Sequence, residues 1–382
     1  MLKLLIFLII FSNSAWSQTD YAMIINAPQN EKSNYPNFTH NTLKAYRTFG
    51  LSGITRDRVA IMNADGSNPF KDKRLRTLPG LVAGVPAAHQ IPDASAKKVD
   101  LKKKFLEMAK KMKDGDHFTL FITGHGQRKD GKVYIRLWGE EKLSIEELRS
   151  YLKLLPAGVT KHITGHFCFS GALMALTSEP NTCAFSPVDE KTLMGAWMSV
   201  PDAKGTILPE DKYTDTFLDT LLKGTAFYDA QQNAERVDPR NSGSQNSLDW
   251  YLKKSPPKGK YACDEINDQS AHKLLRNTMG VMVNKKAPYQ GYLDAFKKYR
   301  ASVESLRTQF DKLSPQEQTK KRGEFTRMIE VMKQNAHLAP INNKAGYIRE
   351  MAREQEFIEN ASAAQFKKYL QIKACVNYAI KK

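Results

Sequence analysis

Phe121-Ile122-Thr123-Gly124-His125-Gly126 and His162-Ile163-Thr164-Gly165-His166-Phe167-Cys168 are two versions of one pattern, an apolar run that closes on Thr-Gly-His. Short runs of this kind, bounded by Gly and polar residues, read as buried β-strands. In a parallel α/β sheet, ligands and chemistry gather beyond the carboxyl ends of the strands. Both Thr-Gly-His ends are therefore expected on one rim, with His125 on one strand and Cys168 just past the other.

Working outward, further strands are expected at 21–27, 58–63 and 182–186, beside those at 117–123 and 162–167. Amphipathic helical patterns lie between them, at 40–49, 99–112, 145–155 and 213–222. In the second of these Leu101, Phe105, Met108 and Met112 share one side, and Ser144 with Glu147 forms a capping box that opens the third. Residues 132–138 alternate like a strand and suit a small hairpin. This alternation of strand and helix predicts an α/β domain with a mainly parallel sheet. The stretches 64–96, 201–212 and 238–260, rich in Gly, Pro, Asp and Ala, read as loops. From about residue 263 onward the pattern is helical without strands. Ser314-Pro315-Gln316-Glu317 marks one helix start there, and Ser362 with Gln365 another. The expected organisation is a leader at 1–17, an α/β domain at 18–262 and a helical C-terminal domain at 263–382.

A thiol becomes an effective nucleophile when a neighbouring imidazole takes its proton, so a Cys at one strand end beside a His at the next makes a working dyad. Cys168 is the candidate nucleophile and His125 the candidate general base. Gly126 lets the backbone pass close to a substrate, and its N–H joins that of Cys168 as a candidate oxyanion donor. A metal site built from His125, His166 and Cys168, with His162, is the rival reading, but the spacing fits no familiar metal motif and no carboxylate is placed to help.

The apolar strand ending in His125-Gly126, followed by a second ending in Phe167-Cys168-Phe169-Ser170-Gly171, resembles the catalytic pattern of the caspase and legumain clan of cysteine peptidases. Asn37-Phe38-Thr39-His40, Lys44-Ala45-Tyr46, Gly53-Ile54 and Val59-Ala60-Ile61-Met62 resemble the start of legumain. The resemblance spans roughly residues 21–200. It implies a caspase-like three-layer α/β sandwich and peptide-bond hydrolysis through an acyl-thioester, with no metal or organic cofactor. It also implies that Asn37 orients the imidazole of His125. Asn37-Phe38-Thr39 fits the N-glycosylation sequon as well, and the catalytic reading is preferred. Transpeptidation through the same acyl-enzyme and a catalytically silent binding protein of the same fold are the alternatives.

Where the family carries a charged pocket for Asn, this chain has Thr39, His166 and Ala196 before Trp197. Strict cleavage after Asn is therefore not expected. The candidate substrate contacts are His40, His166, Ser186 and Trp197. Because side chains alternate along a strand, His166 and Cys168 are expected to point the same way, with His166 lining the pocket for the residue before the scissile bond. The amphipathic C-terminal helices read as a structural domain with a solvated basic surface, and family likeness implies an inhibitory prodomain as the alternative.

The chain has 382 residues, 41% of them hydrophobic and 26% charged, a composition that suits one large or two modest globular domains. Lys3, the apolar run Leu4 to Phe11 and the small-residue stretch ending Ala15-Trp16-Ser17 read as a secretory signal cut before Gln18. That run is far short of the ~20 residues that span a bilayer, so a secreted or periplasmic protein is expected. The formal net charge of +18 is spread along the chain without a basic tract or interleaved aromatics. It favours anionic surfaces or polymers over specific nucleic acid, beside the protein or peptide substrates. Four cysteines make no disulfide scaffold. With Cys168 free, at most one bridge forms, and Cys263 with Cys375 is the pair expected here.

Overall fold

The computed structural model describes residues 18–66, 92–194, 200–201, 207–208, 211–237 and 245–257, and from the remainder 305, 308–309, 312–314, 316–317, 353–354, 357–358 and 360–380. Eight strands and seven helices are used below. They are β1 (Asp20–Ala27), α1 (Pro36–Leu51), β2 (Val59–Asn63), α2 (Lys98–Ala109), β3 (His117–Lys129), β4 (Lys132–Arg136), β5 (Lys142–Ser144) and α3 (Ile145–Leu152). Then come β6 (Thr160–His166), β7 (Thr182–Ser186), α4 (Lys212–Leu222), α5 (Phe227–Val237), β8 (Gln245–Asn246), α6 (Ser247–Lys254) and α7 (Ala363–Val376).

The sheet runs β2-β1-β3-β6-β7-β8. Its first five strands are mutually parallel, and β8 closes the edge antiparallel to β7. Parallel strands covered on both faces lose the in/out alternation of polarity, and β1 from Tyr21 and the whole of β2 are accordingly buried throughout. On one face Phe118 of β3 meets Phe105 of α2, which in turn meets Tyr151 of α3. On the other, Phe121 of β3 packs against His166 of β6, and His166 against Tyr213 and Phe217 of α4. The α1 helix shares this second face, tied to α4 by the Lys44 ammonium, 2.7 Å from Asp215 Oδ1. A mainly parallel sheet thus lies between two helical layers.

The strands expected from sequence are present, and β3 and α1 differ from expectation in ways that matter. β3 does not stop at Thr123. At Gly124 the backbone takes φ +140°, and a Cβ there would lie 2.2 Å from the Ala27 carbonyl oxygen, so only glycine passes between β1 and the turn. Beyond it β3 leaves the parallel sheet and pairs antiparallel with β4, His125 opposite Arg136. This confirms the hairpin and lifts His125 onto the rim. The α1 helix begins at Pro36, four residues before the expected start, with proline in the first turn where no intrahelical N–H is needed. That places Asn37 inside the helix rather than in the loop before it, and at 6% exposure it does not sit on the exposed loop a glycosylation site needs.

The capping boxes hold. Ser144 and Glu147 exchange both hydrogen bonds at the start of α3, as do Ser314 with Glu317 and Ser362 with Gln365. Residues 238–260 are not simply loop: β8 and α6 fall within them. The Ser247 hydroxyl explains part of this, since it accepts from the Ala184 N–H and bonds Thr177, fixing the chain against β7.

The chain divides into two compact units. The α/β unit includes the sheet, α1–α4 and residues 372–382; the second is formed by residues 232–240 and 248–371. The final residues thus belong with the α/β unit instead of with a separate C-terminal domain. Side-chain bonds hold them there. The Tyr378 hydroxyl donates to Asp20 Oδ1 at 2.7 Å, and Cys375 forms a disulfide with Cys183 of β7. The expected Cys263–Cys375 pairing is therefore wrong: Cys375 is already taken by a cysteine whose Cα lies 6.0 Å away, inside the range a disulfide requires. No described helix is long and apolar enough to cross a membrane.

Candidate active site

Parallel pairing sets Thr123 of β3 beside His166 of β6. Two residues further along each strand come His125 and Cys168, so the register brings the two candidate groups to one rim. Gly126 shows how closely. A Cβ on it would lie 1.9 Å from the Cys168 carbonyl oxygen and 2.8 Å from Phe167 Cδ2. The chain after His125 is pressed against the chain at Cys168, and only a residue without a side chain permits it.

Cys168 is half-buried and is the one free cysteine among the described residues. After it the backbone turns sharply: Phe169 takes φ +65°, ψ 17°, a left-handed conformation uncommon for an aromatic residue, and a 3₁₀ segment (Ser170–Ser178) begins at once. Such strain costs about 1–3 kcal/mol and persists only where neighbours enforce it. Here Phe169 N–H bonds the Thr192 carbonyl at 2.9 Å, Ser170 N–H bonds that of Phe167 at 3.2 Å, and Gly171 is wedged against the Asp189 backbone. The thiol S–H reaches the Met194 carbonyl at 3.8 Å, and the backbone of Met194, of Cys168 itself and of Gly126 acts on the sulfur in favour of the thiolate. Burial pushes the thiol pKa above its usual 9.0, and the surrounding backbone hydrogen bonds only partly offset this.

The imidazole of His125 is clamped. Its Nε2 lies 3.0 Å from the Ser33 carbonyl oxygen, and its ring stands edge-on to Phe38, centroids 4.9 Å apart, and to Tyr35, 5.2 Å apart. A carbonyl only accepts, so Nε2 carries the proton and, in the neutral ring, Nδ1 holds the free lone pair. Burial lowers the His125 pKa below 6.5; the Ser33 carbonyl opposes this and the Arg136 charge adds to it. At neutral pH both groups are therefore uncharged, Cys168 as the thiol and His125 as the neutral imidazole.

The orienting role that the family resemblance implies for Asn37 is not what the geometry shows. Among the described residues no hydrogen bond joins Asn37 to this ring; Asn37 sits in the first turn of α1, and the Ser33 carbonyl does the orienting instead. Ser33 is itself fixed by a turn in which its N–H bonds Asn30 Oδ1 at 3.0 Å and its hydroxyl bonds the Pro28 carbonyl. The Asn30-x-x-Ser33 spacing after β1 is a readable turn signal, but a backbone acceptor leaves no side-chain signature. On the peptidase reading that the sequence resemblance implies, Asn37→Ala is accordingly expected to keep turnover within about tenfold of wild type, against the roughly 10⁴-fold loss seen when an orienting side chain is removed from a catalytic triad. Steady-state kinetics of the folded variant decide this.

The pocket residues fare differently. His166 points away from the rim into the layer between the sheet and α4, 2% exposed, with Nδ1 2.7 Å from Thr214 Oγ1. Desolvation lowers its pKa to about 3. Strand alternation does not extend from His166 to Cys168, because the strand ends at His166 and a bend at Phe167 and a turn at Cys168 follow. Ser186 is buried, bonded to Ser170 Oγ at 2.6 Å and to the Val188 carbonyl, and so braces the turn after Cys168 instead of facing a substrate. His40 sits on α1 with Nε2 2.9 Å from Asp215 of α4, a link between helices. Thr39 is buried. Trp197 and Ala196 lie outside the described residues.

The neutral resting state makes a further prediction. Because burial pushes the Cys168 pKa above 9.0 and the His125 imidazole is neutral at pH 7, alkylation of Cys168 by iodoacetamide should be slow at pH 7 and rise steadily through pH 9. Rates measured by intact mass test this, and a pH-independent fast rate from pH 6 upward would mean a preformed ion pair.

No protein-family model and no curated protein matches the chain. Among solved structures it is similar to protein GSU0716 from Geobacter sulfurreducens, with 14% identity and a TM-score of 0.40, over 60% of this chain and 92% of that one.

Proposed function

We propose that this chain is a cysteine endopeptidase of the caspase and legumain type, with the caspase-like sandwich that type carries, exported through a signal peptide at residues 1–17. The observation that carries the reading is the meeting of two strand ends. Cys168 lies against Gly126, and His125, next to Gly126 in the chain, is held in the tautomer that leaves Nδ1 free.

In this reading His125 Nδ1 takes the thiol proton as Cys168 Sγ attacks the scissile carbonyl. The oxyanion that forms is held by the N–H groups of Gly126 and Cys168, two residues that the close approach of Gly126 to the Cys168 backbone brings together. The imidazolium returns the proton to the leaving amine, and the C–N bond breaks to leave a thioester. A water molecule deprotonated by the same imidazole then cleaves the thioester and regenerates the thiol. Neither step calls for a metal or organic cofactor. With His166, Ser186 and His40 engaged inside the fold, selection of the residue before the cut falls to other groups around the rim, and no charged pocket for Asn is formed by Thr39 or His166.

The test is cleavage of a fluorogenic peptide library by the secreted, mature chain. Turnover with any consistent cleavage position supports the reading; no turnover across the library, from protein whose Cys168 is reduced, contradicts it. Gly126→Ala gives a sharper check. The added methyl must displace the Cys168 backbone, so the oxyanion donors misalign and kcat/KM should fall by about 10²–10³-fold. An unchanged rate would place the oxyanion elsewhere.

A further inference from the structure

At the amino ends of the strands, on the sheet face that also carries α4, lies a buried cluster the peptidase chemistry does not use. His117 of β3 and His162 of β6 stack there with Tyr378, centroids 3.7 and 4.9 Å away, and Phe227 of α5 covers His162 at 4.8 Å. The β6–β7 register places His162 beside Cys183, whose disulfide partner Cys375 arrives on α7. His162 is fully buried, yet neither of its ring nitrogens has a hydrogen-bond partner among the described residues. The Cys375 backbone comes near the ring without reaching hydrogen-bonding geometry. A buried, unsatisfied imidazole costs stability and calls for an explanation.

We propose that His162, Cys183 and Cys375 form a metal site for a thiophilic divalent cation such as Zn²⁺, available when the disulfide is reduced. Their ligand atoms all lie within 4.8 Å of one another. Two thiolates and an imidazole on one zinc need separations of about 3–4 Å, given bonds of about 2.0–2.3 Å, so modest side-chain rotation suffices once the sulfurs part. One tetrahedral position is left over, and the Lys161 carbonyl, 3.7 Å from Cys375 Sγ, lies beside it. The site has the composition of zinc centres built from Cys and His, and its unpaired imidazole is what a disulfide alone does not need. The end of the chain is then fastened to β7 by either of two exchangeable ties, a sulfur–sulfur bond or a metal. The chemistry balances with a phosphine reductant: the phosphine takes oxygen from water and becomes the oxide, the disulfide becomes two thiols, and metal binding releases their two protons.

The experiment uses the full chain carrying Cys168→Ser and Cys263→Ser, so that the only cysteines are Cys183 and Cys375 and the outcome is independent of the peptidase reading. The protein is reduced with a phosphine under inert gas and titrated with Co²⁺, then Zn²⁺. The expected result is one cobalt per chain with thiolate charge-transfer absorption and intense tetrahedral bands, displaced by zinc and absent from the oxidised protein. His162→Ala, and His162→Gln as a better space-filler, should weaken binding by roughly tenfold or more, since even groups that merely support a ligand are worth about 10- to 100-fold. Unchanged binding in both His162 variants overturns the proposal. So does a reduced chain that keeps its circular dichroism but shows no thiolate band, or one that loses it and is not restored by zinc.

Discussion

Cys168→Ala is expected to lower peptide-bond hydrolysis by at least about 10⁴-fold, while the circular dichroism and thermal midpoint stay close to wild type. In enzymes that use a catalytic triad, loss of the nucleophile removes almost the whole rate enhancement, and only binding and the oxyanion donors remain. In the proposed mechanism those donors are backbone N–H groups of Gly126 and of residue 168 itself, which the substitution leaves in place. The thiol is half-buried and its hydrogen-bond partners among the described residues are backbone groups, so deleting one sulfur atom opens little cavity. The comparison must be made at equal folded concentration. A variant that retains more than about one part in a hundred of wild-type turnover would assign the cleavage to another group or another protein.

The second large effect concerns stability. Cys183→Ser with Cys375→Ser should destabilise the α/β unit by about 2–5 kcal/mol, toward the upper end because the bridge spans 192 residues of sequence and restricts the unfolded chain correspondingly. For a unit of this size that lowers the thermal midpoint by roughly 10 °C or more. Burial adds to this: both sulfurs sit in the core, and each serine hydroxyl put there must be taken out of water. Metal must be excluded from the measurement, because a metal tie would replace the missing bridge in the reduced wild type but not in the serine variant. An unchanged midpoint would mean that Tyr378, clamped by His117, His162 and Asp20, holds the end of the chain unaided.

Much of this is legible in the sequence. The strands of the parallel sheet read clearly because both faces are covered and their apolar runs are continuous, as in β2 and β7. The capping boxes at Ser144 and Ser362 depend only on local spacing, and both form. The convergence of His125 with Cys168 is readable because register and rim result from strand order. The expectations that fail depend on groups that sequence does not expose. The orienting acceptor for His125 is a backbone carbonyl, which any residue type supplies, so the side chain of Asn37 attracts the role that belongs to Ser33. The role of His166 rests on strand alternation continuing to Cys168, and the strand ends at His166, with a bend at Phe167. Disulfide pairing is decided by which cysteines the sheet brings together, and Cys183 in β7 carries no mark of its partner. The helix start at Pro36 is hidden although Pro is common there, since the apolar periodicity becomes clear only a turn later.

The most direct test is covalent capture. The mature chain, incubated with a peptidyl acyloxymethyl ketone and digested for mass spectrometry, should carry one adduct, on Cys168, and His125→Ala should form it at least about a hundredfold more slowly. Loss of peptide cleavage should track adduct formation one to one. Cleavage that persists after Cys168 is fully modified, or an adduct that forms on Cys263 while Cys168 stays free, would contradict the account.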